Sequence, residues 1–324
     1  MNKRVFITRQ IPDIAVEMLR GKGYSVEIYP KDKVIPRREL IKTLHGGQYD
    51  AVLSLLTDTI DAELFNAAPS VKLYANYATG FDNIDLVEAK KRGIIATNAP
   101  AELSSEAVAE HTMALVMALA TRLVEANDFV RAGRYEGWAP MNFVGTDFHG
   151  KTIGLVGTGH IGARVASFAS ALGMKVIYTD VVRNERLEKE CSAIYCASIE
   201  ELLPKADFVS LHVPLLDSTR HLMNEKRLRL MKPTAFLVNT ARGAVIDEMA
   251  LEIALRDKVI RAAALDVFEF EPKISKGLRR LPNVILTPHI ASASIEARNQ
   301  MAQIAAQNIV DFFEGRTPRN IVNP

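Results

Sequence analysis

Short runs of β-branched and other apolar residues alternate with longer amphipathic stretches along almost the whole chain. The first series of apolar runs predicts strands at residues 4–7, 25–29, 51–53, 73–76 and 94–96. The patterns between them predict helices at 12–22, 37–44, 61–67 and 85–92, each ending near a glycine, a proline or a polar turn. Strands that alternate with helices in this way are typical of a parallel sheet.

A second series of apolar runs predicts strands at 152–156, 175–179, 208–211, 235–238, 262–265 and 284–286. These runs are nearly continuous, which indicates strands that are buried on both faces. The fold class predicted is therefore α/β, with two doubly wound parallel-sheet domains. Between the two series, residues 103–132 form one long helical pattern. Its periodicity fits either an interdomain connector or an arm that packs on a second subunit.

Length, charge and cysteine content exclude several classes of protein. The 324 residues suffice for two domains, and 40 Lys and Arg against 38 Asp and Glu give a net charge of only +2, so no nucleic-acid or membrane partner is expected. Two cysteines, Cys191 and Cys196, exclude a disulfide framework, and the apolar stretch 113–120 is too short for a membrane span. The histidines lack partners at metal-ligand spacing, so no metal is expected. We expect a cytoplasmic protein.

A glycine-rich turn follows the first strand of the second series. Its glycines are Gly157, Gly159 and Gly162, and a helical pattern occupies 163–172. Gly157 suits a tight turn, Gly159 a close approach of the backbone to a pyrophosphate, and Gly162 close packing of helix on strand. The start of the helix offers free N–H groups to phosphate. This context predicts a dinucleotide site.

Asp180 ends the next predicted strand, 18 residues after Gly162. A carboxylate there can accept both ribose hydroxyls of adenosine and repels a 2′-phosphate, which favours NAD over NADP. A solvated turn residue is the alternative. Because Arg183 lies close by and can neutralise a 2′-phosphate, NADP stays open as a cofactor.

Charged residues follow three of the later predicted strands, where ligands of open α/β sheets bind. They are Arg242, the carboxylates Asp266, Glu269 and Glu271, and His289. The planar guanidinium of Arg242 suits a substrate carboxylate. Separate surface salt bridges are the alternative, but an arginine, a carboxylate and a histidine at successive strand ends favour a catalytic site.

At this point the sequence resembles the D-isomer-specific 2-hydroxyacid dehydrogenases over nearly its whole length. The matching segments are Gly157-Thr-Gly-His-Ile-Gly162, His212-Val-Pro-Leu215, Asn239-Thr-Ala-Arg-Gly243, Asp266-Val-Phe-Glu with Glu271-Pro272, Pro288-His-Ile290 and Ala78-Thr-Gly-Phe-Asp-Asn-Ile-Asp85. The resemblance implies a Rossmann-type NAD-binding domain at 100–289, inserted into a flavodoxin-like substrate domain of residues 1–99 and 290–324. It also implies a homodimer, with 103–132 as the dimerisation arm.

The resemblance also implies roles for individual residues. Arg242 binds the substrate carboxylate and carbonyl oxygen, His289 protonates that oxygen, and Glu271 pairs with His289. The cofactor contacts implied, besides Arg242, His289 and the glycines, are His160, Ile161, Asp180, His212, Val213, Pro214, Thr219, Thr240, Ala241 and Asp266. The substrate contacts implied are Leu55 and the backbone N–H groups of Ala78, Thr79 and Gly80. Trp138 is either a contact to the partner subunit's site or a residue buried in the dimer interface.

The segments around Leu55 and Trp138 resemble the glyoxylate/hydroxypyruvate reductase branch. The expected activity is therefore reduction of a small 2-oxo acid to the D-2-hydroxy acid, with NAD, or NADP as a possible alternative. Many glyoxylate reductases carry Arg at His160 and no acid at Asp180, which leaves the choice of cofactor open. The alternatives are a 2-ketogluconate, phosphoglycerate or phosphite dehydrogenase, and a dinucleotide-sensing protein of corepressor type.

Overall fold

The computed structural model describes residues 2–323. The chain folds into two compact units. The terminal unit combines the chain up to Ser104 with the stretch from Ala293 onwards, and the central unit is Ser105–Ser292. Elements are numbered below along the whole chain.

The terminal unit is built on a five-stranded parallel sheet in the order β2-β1-β3-β4-β5. Its strands are β1 (Arg4–Ile7), β2 (Ser25–Ile28), β3 (Ala51–Ser54), β4 (Leu73–Asn76) and β5 (Ile95–Thr97). Its helices are α1 (Asp13–Gly21), α2 (Arg37–Gly47), α3 (Ala62–Ala67), α4 (Leu86–Lys91) and α12 (Ile295–Phe313).

Alternation along β1 shows how this sheet is buried. Val5 and Ile7 belong to one apolar cluster, while Phe6 belongs to another, so the two faces of the sheet carry separate cores. Two of the helices begin where the sequence predicted, because the carboxylates of Asp61 and Asp85 accept the N–H groups of Leu64 and Glu88 as N-caps.

The central unit is built on a seven-stranded parallel sheet in the order β12-β11-β10-β9-β6-β7-β8. Its strands are β6 (Thr152–Val156), β7 (Lys175–Thr179), β8 (Ile194–Tyr195), β9 (Phe208–Leu211), β10 (Phe236–Asn239), β11 (Ala262–Leu265) and β12 (Val284–Leu286). Its helices are α7 (His160–Ala171), α8 (Glu185–Cys191), α9 (Ile199–Leu202), α10 (Glu225–Leu228), α11 (Glu248–Arg256), α6 (Leu123–Arg131) and most of α5 (Glu102–Thr121).

The strand order reverses at β6, which pairs with β7 on one side and β9 on the other. A doubly wound sheet opens a crevice at such a point, beyond the carboxyl ends of the strands. The fold class predicted from the sequence, two doubly wound parallel-sheet domains, is confirmed. The sequence pattern did not predict β8, a strand of only two residues in which Ile194 is exposed and Tyr195 is partly buried.

The prediction of one long helix at 103–132 is wrong, because the structure has two helices there. Arg122 adopts a left-handed backbone with φ of 57°, and α5 and α6 meet at a bend of 66°. The apolar residues keep their 3.6-residue spacing across Arg122, so the sequence pattern does not reveal the break between the two helices. Within residues 2–323 no single helix is long and apolar enough to cross a membrane, and this bent pair passes that test only by length and composition.

Candidate active site

The glycine turn joins β6 to α7 in the central unit. Gly157 has φ of 94°, and a Cβ there would lie 2.6 Å from the carbonyl oxygen of His212. A Cβ at Gly162 would strike the carbonyl oxygen of Gly157, so this glycine lets the helix pack on the turn. A Cβ at Gly159 would meet nothing within 4 Å. Gly159 is the N-cap of α7 and provides no side chain, so the open space beside it borders the free N–H groups at the helix start.

Asp180 closes the same turn from the end of β7. Its Oδ2 accepts hydrogen bonds from the N–H of Thr158 (2.6 Å) and the hydroxyl of Thr158 (3.0 Å). Its Oδ1 accepts the N–H of Val181 (2.7 Å). Asp180 is therefore fixed against the glycine turn rather than free in solvent.

His212 directly follows β9 and lies beside the glycine turn. Its Nε2 is 2.9 Å from the hydroxyl of Ser210, and burial lowers the pKa of the imidazole to about 4. The hydroxyl of Thr219 donates to the carbonyl of Pro214 (2.6 Å), which folds residues 214–219 into one turn. The cofactor residues predicted on this segment, which include Val213, thus share one strand end and its following turn.

Arg242 lies on a turn that the side chain of Asn239 organises. The Asn239 amide donates to the Arg242 carbonyl (2.9 Å), and its oxygen accepts the N–H of Ala241 (3.0 Å). The Thr240 hydroxyl is 2.8 Å from that of Thr112 on α5. A Cβ at Gly243 would strike the backbone of the segment after β11, so the absence of a side chain brings that segment against the arginine turn.

Glu271 and His289 form an ion-pair geometry, with Glu271 Oε2 2.9 Å from His289 Nδ1. Both side chains are about one-third exposed. The N–H of Phe268 donates to Glu271 Oε1 (2.9 Å). Burial raises the pKa of Glu271, but the bonds from His289 and Phe268 and the charge of Arg242 outweigh it, so this pKa lies below its usual value. The Glu271 carboxylate is therefore ionised at neutral pH, and its charge faces Nδ1 of His289.

A buried carboxylate, Asp266, holds the segment that carries His289. Its Oδ1 accepts the Thr287 hydroxyl (2.6 Å) and the Ile290 N–H (2.9 Å), and its Oδ2 accepts the Ala291 N–H (2.8 Å). His289 itself has φ of 55°, a left-handed backbone that a non-glycine residue rarely adopts. Because Asp266 is fully buried, the role seen in the structure is to fix this bend. A contact of Asp266 with nicotinamide stays a prediction.

In the terminal unit, the segment after β4 presents three N–H groups. The carbonyls of Ala78, Thr79 and Gly80 accept hydrogen bonds from the Ala99 N–H (2.8 Å), the Asn98 amide (2.7 Å) and the Asn76 amide (3.0 Å). Within residues 2–323 the N–H groups of the same three residues have no acceptor. Three adjacent N–H groups without an acceptor can together bind an anion.

Leu55 lies on the neighbouring loop of the terminal unit, after β3. The buried carboxylate of Asp58 accepts the Leu55 N–H (2.8 Å), and the Asn83 amide donates to the carbonyls of Leu55 (3.2 Å) and Asp58 (2.9 Å). This loop is therefore held by its own Asp58 and by Asn83 from the segment after β4.

Comparison with known proteins identifies the family. The family model "D-isomer specific 2-hydroxyacid dehydrogenase, NAD binding domain" matches residues 113–291. The chain belongs to the D-isomer-specific 2-hydroxyacid dehydrogenases. A glyoxylate reductase of Thermococcus litoralis is 46% identical over 327 aligned positions, which cover all of this chain and 97% of that protein.

Two solved structures support this membership. The TT0316 protein from Thermus thermophilus is 41% identical with a TM-score of 0.91, covering 98% of this chain and 99% of that one. A D-lactate dehydrogenase from Aquifex aeolicus, solved with NAD and lactic acid, is 33% identical with a TM-score of 0.85 and covers 99% of both chains. This dehydrogenase is therefore an oxidoreductase with an NAD-binding domain, as the sequence predicted.

The glycine turn of this dehydrogenase fits a dinucleotide. The open space at Gly159 leaves room for the pyrophosphate beside the helix N–H groups of His160 and Ile161, whose partial positive charge favours phosphate. Among residues 2–323 there is no cluster of three or more His, Cys, Asp or Glu that could hold a metal ion.

The sequence pattern did not indicate the residues that position these segments within each unit. Asn239, Asn76 and Asn98 donate hydrogen bonds to backbone carbonyls of neighbouring segments. Thr287 instead donates to the carboxylate of Asp266. His111 on α5 also contacts this segment, with its Nε2 3.3 Å from the Thr287 hydroxyl. A polar residue at the end of an apolar strand was the available signal for Asn76 and Asn239, because burial there demands a partner.

Proposed function

We propose that this chain reduces a small 2-oxo acid of the glyoxylate or hydroxypyruvate type to the D-2-hydroxy acid, with NADH as reductant. The observation that carries the proposal is the Glu271–His289 pair, since a carboxylate in contact with an imidazole is the arrangement of a positioned general acid. Family membership and the name of the Thermococcus relative support the substrate class.

The proposed chemistry divides among three residues of the central unit. Bound NADH supplies the hydride. His289 donates a proton to the substrate carbonyl oxygen, and Glu271 stabilises the imidazolium before that transfer. Arg242 binds the substrate carboxylate through its planar guanidinium, and its positive charge opposes the negative charge that develops on the oxygen.

We propose that the free N–H groups of Ala78, Thr79 and Gly80 also bind the substrate carboxylate. Their carbonyls are engaged by the fold, so the dipoles of this segment are oriented before a substrate arrives. Leu55, on a loop held by Asp58, contributes an apolar contact. Neither segment provides a cation for a phosphate group, which supports a small unphosphorylated acid over 3-phosphoglycerate.

We propose NADH rather than NADPH as the preferred cofactor. Asp180 is held at the glycine turn with its negative charge where a 2′-phosphate of adenosine would lie. The remaining contacts proposed for the cofactor are the residues of the β9 and β10 ends: His212, Val213, Pro214, Thr219, Thr240 and Ala241.

We propose that the protein acts in the cytoplasm as a homodimer that associates through α6 and the following loop. None of the residues of α6 is buried, and this region exposes Leu123, Val130, Trp138 and Met141. An exposed apolar surface of this kind is typical of an interface. Trp138, at 84% exposed, is the residue proposed to contact the partner subunit. Sedimentation of the wild-type chain as a monomer would contradict this assembly.

The activity is tested by loss of NADH or NADPH absorbance with glyoxylate, hydroxypyruvate, 2-ketogluconate, pyruvate and phenylpyruvate as separate acceptors. We expect turnover of glyoxylate or hydroxypyruvate, faster with NADH. Fastest turnover of 2-ketogluconate would replace the substrate class but keep the mechanism. No turnover of any acid, with NADH still bound, would overturn the proposal in favour of a dinucleotide-sensing role.

A further inference from the structure

The turn between β7 and α8, residues 180–184, is tied to the glycine turn at both ends. Asp180 accepts the N–H and hydroxyl of Thr158, and the Asn184 amide donates to the Thr158 carbonyl (3.1 Å). The N–H of Asn184 donates in turn to the hydroxyl of Tyr178 (2.8 Å). Arg183 is therefore carried on a short segment beside Asp180, the residue proposed above to discriminate between NADH and NADPH.

The guanidinium of Arg183 is engaged by a carboxylate on α8. Its Nε and Nη2 lie 2.7 and 2.8 Å from the two oxygens of Glu188, a bidentate pair. Glu188 also accepts the Tyr178 hydroxyl (2.7 Å), and its side chain is only 20% exposed. The Arg183 and Tyr178 hydrogen bonds lower the pKa of Glu188 to about 2, so the carboxylate is charged across the whole working range.

We infer that Glu188 is a specificity-determining residue for the cofactor, which withholds the Arg183 guanidinium from a 2′-phosphate and so disfavours NADPH. This inference rests on the NADH preference proposed above and adds a second element to it. Asp180 repels the phosphate directly, whereas Glu188 neutralises the one cation on the same turn that can bind it. The bidentate pair fixes the orientation of the Arg183 guanidinium and neutralises its charge. Arg183 must therefore leave Glu188 before it can bind a phosphate.

The test is E188Q in the full-length chain, with dissociation constants for NADPH and NADH measured by fluorescence without any oxo acid. The glutamine oxygen can still accept the Tyr178 hydroxyl, but it no longer carries a charge for Arg183. We expect NADPH to bind about tenfold more tightly, equivalent to about 1.4 kcal/mol, as one charge-assisted hydrogen bond to phosphate provides. NADH affinity stays within about twofold because NADH lacks the phosphate.

Two further variants separate the inference from a general effect of charge. Glu190 lies on the same helix, pairs with Arg186 at 2.7 Å and is more exposed than Glu188. E190Q therefore changes the net charge equally, and we expect less than a twofold effect on NADPH. The double variant R183A/E188Q has the wild-type net charge without the guanidinium, and we expect it to bind NADPH as the wild type does.

The outcomes distinguish this inference from the proposed function. Equal tightening by E188Q and E190Q, or a gain that survives in R183A/E188Q, would overturn the role of Glu188 whatever the wild-type preference is. A wild type that already binds NADPH better than NADH would instead contradict the proposed cofactor preference. If E188Q fails to melt cooperatively, E188A provides the same comparison, and an unchanged NADPH affinity in it overturns the inference.

Discussion

The carboxyl edges of the two sheets carry different kinds of polar group. In the central unit the edge presents charged side chains: Arg242, Glu271 and His289. In the terminal unit the corresponding edge presents backbone N–H groups, at residues 78–80, oriented by the neutral amides of Asn76 and Asn98. Both edges are polar ends of buried parallel strands, so the fold alone does not explain the difference.

The roles proposed for the two edges account for this difference. A group that transfers a proton must be ionisable, and an imidazole in contact with a carboxylate meets that requirement. A group that only binds a carboxylate needs partial positive charge in a fixed direction, which oriented amides provide without a titrating side chain. The predictions below change one edge at a time.

The largest effect is expected from R242A. Loss of the guanidinium removes a cation that the proposed chemistry uses for the substrate carboxylate and the developing oxyanion, so kcat/KM should fall by about 10³-fold. The measurement is steady-state NADH oxidation with glyoxylate, with R186A on the exposed face of α8 as the control. A loss of less than tenfold would remove Arg242 from the chemistry.

A smaller loss is expected from H289Q, which keeps a polar side chain but cannot protonate the carbonyl oxygen. The expected fall in kcat is about 10²- to 10³-fold, with NADH affinity little changed, because general acid catalysis contributes an effect of this size. The exposed His45 on α2 provides the matched control H45Q. An unchanged kcat in H289Q would mean that another group supplies the proton.

The charged residues at the edge of the central unit's sheet could be predicted from the sequence. The backbone bends that position them could not. Charged residues directly after apolar strands identified Arg242, Glu271 and His289 as a group, because parallel strands end at one edge. The bend at His289 was not predictable, since Asp266 fixes it through the backbone of residues 290 and 291. Such contacts depend on the folded path of the chain rather than on residue type.

At the edge of the terminal unit's sheet, the polar groups themselves could not be predicted from residue types. Its N–H groups belong to the main chain, so no residue type reveals them, and only the family resemblance suggested residues 78–80. The strands and helices around them were nevertheless predicted closely, since their apolar periodicity is a local feature of the sequence. The break at Arg122 was missed because its cause is a single backbone angle.

A moderate effect is expected from N98A, which releases the Thr79 carbonyl and so loosens the orientation of the neighbouring N–H groups. We expect KM for glyoxylate to rise about tenfold while kcat changes less than threefold, as loss of oriented binding without loss of chemistry gives. N308A is the control, because the Asn308 amide donates to the Asn98 carbonyl (3.1 Å) and does not contact Thr79. A fall in kcat with KM unchanged in N98A would contradict the role proposed for this edge.

The smallest expected effect is on the pH dependence of stability and concerns His212, whose buried imidazole is neutral in the folded chain. Burial lowers its pKa from 6.5 to about 4. Between these two pH values the imidazole is therefore protonated in the unfolded chain but neutral in the folded chain. The stability that this neutral imidazole contributes is complete above pH 6.5 and is lost as the pH falls towards 4. We expect a loss of about 1 kcal/mol between pH 6 and pH 5, measured from urea unfolding at each pH. H212N should show a shallower decline because it has no proton to take up, and equal slopes in the two proteins would show that other groups, the Glu271–His289 pair among them, set the acid limit.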